Sequence, residues 1–144
     1  MGHYGRAMRL RKDAKIEMLR RVPLFAHCSM KELAEIAALA DEIQLEEGRE
    51  LTREGKRGRE FFVIVDGEVV VRRKGRKIAT SGAGDFIGEM ALVTGRPRNA
   101  TVTTATRVRL LVVTDAAFQR LLESSPSIPL KVLRGLAERI PDTT

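Results

Sequence analysis

Apolar residues recur at helical spacing only toward the two ends of this chain, and between them the period shortens to that of strands. Met8, Leu10, Ile16, Met18 and Leu19 predict a first helix that stops before Pro23, since proline disfavours helical geometry in the residue ahead of it. A second helix is expected over 30–39, with Ser29 as its N-cap, Glu32 completing a capping box, and Leu33, Ile36, Ala37 and Ala40 facing inward. From residue 43 onward, strands are expected over 43–45, 50–52, 61–65, 68–72, 76–80, 100–104 and 107–113. Gly48, Gly55, Gly58, Asp66-Gly67, Gly75, Gly82 and Gly84 punctuate them, and Asp66-Gly67 reads as the strongest hairpin signal of the set. Helical spacing returns after Asp115, the expected N-cap of a helix over 116–123 that buries Phe118, Leu121 and Leu122. A last helix is expected over 128–140. The pattern predicts a mainly β fold with flanking helices: an antiparallel β-roll or jelly-roll barrel, N-terminal helices before it and two C-terminal helices after it.

Length adds that 144 residues suit a single core. A hydrophobic content of 43% and a charged content of 31% are ordinary for a soluble globular domain. The single Cys28 excludes an internal disulfide framework and favours a reducing, cytoplasmic setting. Apolar runs such as Leu110-Leu111-Val112-Val113 are far too short for a membrane span, and the N-terminal residues lack the apolar segment expected of a signal peptide.

The net charge of +7 is unevenly placed. Residues 1–21 hold seven Lys or Arg against Asp13 and Glu17, so this basic arm carries +5 and the remainder only +2. We therefore divide the chain into a basic N-terminal helical arm, 1–21, and a domain, 22–144. A second basic cluster, Arg72-Arg73-Lys74 with Arg76-Lys77, reads as a solvated hairpin tip. The arm is compatible with an acidic partner, a lipid surface or nucleic acid, or with a plain solvated helix.

The densest chemistry lies in Phe86-Ile87-Gly88-Glu89-Met90-Ala91-Leu92, followed by Arg96-Pro97-Arg98-Asn99-Ala100-Thr101. Gly88 permits backbone geometry that a side chain would obstruct, and residues 89–93 are expected to form a short helix whose first amides point at an anion. Glu89 is an unsuitable anion ligand and a good acceptor for a sugar hydroxyl. Arg98 supplies a cationic fork for phosphate oxygens. The turn Thr94-Gly95-Arg96-Pro97 lies between the two and lets both face one pocket.

This arrangement resembles the phosphate-binding cassette of the cyclic nucleotide-binding domain family, which reads roughly Phe-Gly-Glu, a hydrophobic residue, Ala-Leu, then Pro-Arg, a small or polar residue, Ala, and Thr or Ser. Ile87 separates the Phe and Gly of that pattern here, and Asn99 takes the variable position after the arginine. Arg21-Val22-Pro23-Leu24-Phe25 resembles the family's opening segment, and 61–69 the strand and turn that precede its cassette. Arg59 departs from it, standing where an acidic residue is usual and making a basic loop with Lys56 and Arg57. The resemblance implies reversible binding of a 3',5'-cyclic nucleotide by Phe86, Ile87, Gly88, Glu89, Met90, Ala91, Leu92, Arg98, Asn99 and Ala100. Glu89 would take the ribose 2'-hydroxyl, Arg98 the cyclic phosphate, and the amides of Ala91 and Ala100 would complete the phosphate cradle. It also implies that the last helix folds over the base, with Val132, Leu133, Leu136 and Arg139 as candidate lid residues.

Ligand choice turns on Asn99. Family members that prefer cyclic GMP tend to carry Thr or Ser there and many cyclic AMP binders Ala, so cyclic AMP is the expected ligand and cyclic GMP the alternative. No enzyme is expected. His3 and His27 are the only histidines, no metal ligand group can be assembled, and Cys28 has no base beside it, so it reads as an inert thiol. The chain thus reads as a non-catalytic regulatory module, with a regulatory fragment of a larger channel, kinase or transcription factor as the alternative. A protein partner or effector region is implied, and a homodimer is compatible. DNA binding through an appended winged helix is not expected, since only Pro141–Thr144 follow the last helix.

Overall fold

The computed structural model describes residues 10–141. His3, Arg6, Met8 and Arg9, and with them the start of the predicted basic arm and first helix, lie outside the described residues. Helix α1 spans Lys12–Arg20, a 3-10 turn covers Pro23–Phe25, and α2 spans Met30–Ala37. The capping box forms as the sequence predicts: the Ser29 hydroxyl accepts from the Glu32 amide at 3.1 Å, and the Glu32 carboxylate accepts from the Ser29 amide at 2.7 Å.

Eight strands follow: β1 (Asp41–Leu45), β2 (Glu50–Thr52), β3 (Glu60–Asp66), β4 (Val69–Arg73), β5 (Arg76–Ser81), β6 (Phe86–Ile87), β7 (Thr101–Thr104) and β8 (Val108–Thr114). They form two antiparallel four-stranded sheets, ordered β1-β8-β3-β6 and β2-β7-β4-β5. The sheets are not joined into a closed barrel, so of the two predicted forms the roll is the one observed.

The run Phe61-Phe62-Val63-Ile64 shows why the core sits where it does. Successive strand residues point to opposite faces. Phe61 and Val63 join Leu19, Leu24, Phe25, Leu33, Ile36 and Phe118 under the helices, whereas Phe62 and Ile64 join Val69, Val102, Val108 and Leu110 between the sheets. Strand β3 is therefore buried on both sides, and an unbroken apolar run is what such a strand requires. Leu111 and Leu110 of β8 divide in the same way.

Two turn expectations are corrected. Asp66-Gly67 is not a hairpin, because β3 pairs with β6 and β8 while β4 pairs with β5 and β7. The turn instead carries the chain from one sheet to the other, passing so near the Arg107 carbonyl that a Cβ on Gly67 would collide with it. The true hairpin is β4–β5, closed by Lys74 and Gly75 with φ of 52° and 79°, the left-handed pair that suits a tight two-residue turn. Its basic tip is the one predicted from residues 72–77.

Helices α3 (Ala91–Thr94), α4 (Asp115–Ser124) and α5 (Ile128–Ala137) complete the chain. The N-cap of α4 is Thr114, whose hydroxyl accepts from the Ala117 amide at 3.2 Å, and Asp115 is the first helical residue instead. Helix α5 ends at Ala137, earlier than expected, and the following turn carries Glu138, Arg139 and Ile140 back toward the roll. No helix among the described residues is long and apolar enough to cross a membrane.

Candidate functional site

Strand β6 lasts only two residues because Gly88, at φ 78°, turns the chain out of the sheet. The same residue permits a close approach, since a Cβ there would collide with Nη1 of Arg98. The Arg98 guanidinium rests against the Gly88 backbone on one side and against Gly58 on the other. Its Nη2 donates to the Glu60 carbonyl at 2.6 Å and lies 3.8 Å from the Glu60 carboxylate. With its side chain only 9% exposed, Arg98 is a cation with little water around it; burial pulls its pKa below the usual value, and Glu60 counters this in part.

The short helix starts later than the sequence suggests, at Ala91, not Glu89. Its turn is internally bonded. The Ala91 amide, expected to face an anion, donates to the Gly88 carbonyl at 3.0 Å, and the Leu92 amide to that of Glu89 at 3.1 Å. Leu92 itself is fully buried in the helical core and does not line the site.

Glu89 is 8% exposed. Its Oε1 accepts a charge-assisted hydrogen bond from Nη2 of Arg139, and its Oε2 is buried with no partner among the described residues. A buried carboxylate oxygen left in that state costs free energy that an incoming donor recovers. Gly88, Glu89, Met90, Ala91, Arg98, Asn99 and Arg139 line one cavity of about 590 Å³, together with Thr94, Arg96 and Pro97. The acid and the base predicted to share a pocket do share one. That volume is within the range of small-molecule sites.

A second hollow of about 190 Å³ opens from the same place into the space between the sheets. Phe86, Ile87 and Ala100 line it with Thr52, Val71, Ser81 and Val102, and it shares Gly88, Arg98 and Asn99 with the first. Thr52, Val71 and Ser81, like Gly58 and Glu60 around Arg98, escaped the sequence reading. They come from strands and a loop far away along the chain, and no local spacing marks them.

The lid candidates separate. Val132 is buried in the helical core and Leu136 packs at its margin, Leu133 is 59% exposed, and Arg139 alone lines the cavity. His27 is partly exposed, and its Nε2 lies 2.7 Å from the Glu138 carboxylate. Burial pushes the Cys28 thiol up to about 11, with Glu32 adding to the effect and Lys131 opposing it, in keeping with an unreactive thiol.

A sequence profile described as the cyclic nucleotide-binding domain matches residues 42–125, more than half of the chain. This chain belongs to the cyclic nucleotide-binding domain family. It is 37% identical over 123 residues to a cyclic nucleotide-gated potassium channel of Rhizobium etli, covering 85% of this chain and 34% of the channel. It is likewise 37% identical over 118 residues to a cAMP-dependent protein kinase regulatory subunit of Mycosarcoma maydis, covering 74% of this chain and 22% of that protein. The chain thus spans about a third or less of these relatives. Among solved structures, the N-terminal domain of a transcriptional regulator from Streptomyces coelicolor superposes with a TM-score of 0.77 at 35% identity, covering 85% of this chain and 91% of that one. Residues 86–100, which carry the resemblance to the family's cassette, lie within the matched residues.

Proposed function

We propose that this domain binds a 3',5'-cyclic nucleotide, cyclic AMP in preference to cyclic GMP, and acts as a non-catalytic sensor. The observation that supports this most directly is the pairing of Arg98 with Glu89 in one cavity, the first a desolvated cation and the second a buried carboxylate with one unpartnered oxygen. The cyclic phosphate goes to Arg98, displacing the loose contact with the Glu60 carboxylate. The ribose 2'-hydroxyl donates to Oε2 of Glu89, which accepts it without giving up Arg139. Phosphate and ribose are thereby fixed about one end of the cavity.

Met90, Asn99 and Ala100 shape the remaining wall, and the hollow bounded by Phe86, Ile87, Val71 and Ser81 offers space for the base. Arg139 stands as the lid residue: it reaches the cavity from the turn after α5, so a ligand that changes the Glu89 environment also changes what holds the end of that helix. A ligand shifts such an equilibrium only by its differential affinity for the two arrangements. The module then reports occupancy to a protein partner or to an effector region of a larger channel, kinase or regulator. That second reading draws on the relatives, of which this chain spans only a part.

Calorimetric titration with cyclic AMP and cyclic GMP tests both levels at once. Saturable binding of either establishes the sensor, and tighter binding of cyclic AMP, by about tenfold or about 1.4 kcal/mol, establishes the preference. Heat no greater than that of dilution for both ligands would overturn the reading.

A further inference from the structure

Two basic loops that the nucleotide site does not use meet at one end of the roll. The first is the segment after β2, with Arg53, Lys56 and Arg57; the second is the β4–β5 hairpin, with Arg72, Arg73, Lys74, Arg76 and Lys77. All eight side chains are exposed. The loops are held side by side: the Lys74 amide donates to Glu54 Oε1 at 2.9 Å, Arg73 Nε donates to the Asn99 carbonyl at 3.0 Å, and the Gly55 amide donates to the Arg98 carbonyl at 2.8 Å.

Eight cations stand here against three carboxylates, Glu50, Glu54 and Glu60, the last of them 3.8 Å from Arg98. Glu50 is taken up by Arg53 through contacts of 2.9 and 3.2 Å. Lys56, Arg57, Arg72, Lys74, Arg76 and Lys77 have no ion pair among the described residues. So dense a group of like charges repels itself, and the repulsion is relieved when an anionic partner docks.

We infer that this surface binds an acidic protein segment, a run of carboxylate side chains in an extended peptide. The Glu54 carboxylate, which the first loop extends to the Lys74 amide of the hairpin, shows a carboxylate already accepted where the two loops meet. Arginine forks, present at Arg57, Arg72, Arg73 and Arg76, match carboxylates in geometry. Single-stranded nucleic acid is disfavoured because no aromatic side chain among the described residues is offered for stacking: all five phenylalanines lie in or against the core. A lipid surface is disfavoured because residues 72–77 hold no apolar side chain to enter it. Ile78, at the bulge of β5, is the one large apolar side chain exposed on this hairpin.

The test is a fluorescence titration of the domain with labelled poly-glutamate at physiological ionic strength, with no cyclic nucleotide present, so it stands apart from the nucleotide reading. Duplex DNA, single-stranded DNA and vesicles of phosphatidylserine are the comparison probes. Saturable poly-glutamate binding is expected, with the triple variant Arg72→Glu, Lys74→Glu, Arg76→Glu weakened more than about tenfold. These positions are exposed and should not disturb folding, and the circular dichroism spectrum checks this. A control with three exposed cations reversed on the helices, Lys31→Glu, Arg120→Glu and Arg134→Glu, should retain binding. Equal loss in the two triple variants would reduce the effect to net charge and overturn the inference. So would absence of poly-glutamate binding, or preferential binding of DNA or vesicles.

Discussion

Arg139 and Glu89, 50 residues apart, form a hydrogen-bonded ion pair in the wall of the main cavity, and the pair leaves Oε2 of Glu89 buried and without a partner among the described residues. The arrangement fixes the carboxylate while keeping one acceptor available. Glu89→Gln keeps the shape but removes the charge, so it should discriminate less well between cyclic AMP and its 2'-deoxy analogue. A hydrogen bond to a charged group contributes roughly 1.5–3 kcal/mol, and about half of that preference should disappear. Paired titrations of the parent and variant check it; an unchanged ratio would remove Glu89 from the ribose.

Arg96 and Arg98 both line the main cavity, yet only Arg98 is desolvated, held against Gly88 and Gly58 and bonded to the Glu60 carbonyl. Arg98→Ala should therefore weaken cyclic nucleotide binding by roughly 2–5 kcal/mol, whereas exposed Arg96→Ala should cost well under that. Gly88→Ala supplies an independent check, because its Cβ would meet Arg98 Nη1 and the backbone φ of 78° is costly for alanine. It should depress affinity with Arg98 still present. Equal losses for the two arginine variants, in one calorimetric series, would refute the assignment of the phosphate to Arg98.

What could be read from the sequence was mostly local or strongly periodic. The Ser29–Glu32 box closes within one turn, and the run 61–64 is apolar because β3 is buried on both faces, so both were visible without knowledge of partners. That Gly88, Glu89 and Arg98 share one cavity was legible because they lie on one short connection. Asp66-Gly67 was misread for the opposite reason. Turn chemistry specifies a reversal, but whether the two flanking strands then pair depends on which neighbours bury their faces, and here β8 and β7 compete successfully. Strand β6 has two residues and no periodicity to detect, and the choice of Thr114 over Asp115 as a cap rests on a one-residue shift in backbone geometry. The walls contributed by Thr52, Val71 and Ser81 depend on the sheet order, which no local pattern encodes.

Asn99 provides a prediction about the base. Its side chain is exposed at the junction of the two cavities, while its carbonyl is held by Arg73. A carboxamide both donates and accepts, so it gives little discrimination by itself. Asn99→Thr supplies a hydroxyl at the position and should shift the preference toward cyclic GMP, by up to about tenfold. If the parent already binds cyclic GMP more tightly, or if the ratio of the two dissociation constants is unchanged in the variant, this account of Asn99 fails.

Glu32 links the N-terminal helices to the start of α5, and its protonation should therefore be felt as stability. It is 4% exposed and accepts from the Ser127 hydroxyl, the Ser29 amide at 2.7 Å and Lys131 Nζ at 3.0 Å. The Ser127 bond first and the Ser29 amide second hold its carboxyl down to about 2, from an ordinary value of 4.5, against the opposing effect of burial. A carboxyl whose folded pKa lies below its unfolded one stabilises the fold fully above the unfolded value, and that contribution fades as pH falls toward the folded value. The domain should accordingly lose stability between about pH 4.5 and about pH 2. Glu32→Gln should cost roughly 1–3 kcal/mol at neutral pH, since it weakens the bonds of buried donors. Its stability should then decline less steeply through the acid window, because the titrating group is gone. Urea unfolding of parent and variant across that range checks both parts, and parallel stability curves would show that Glu32 is not the group responsible.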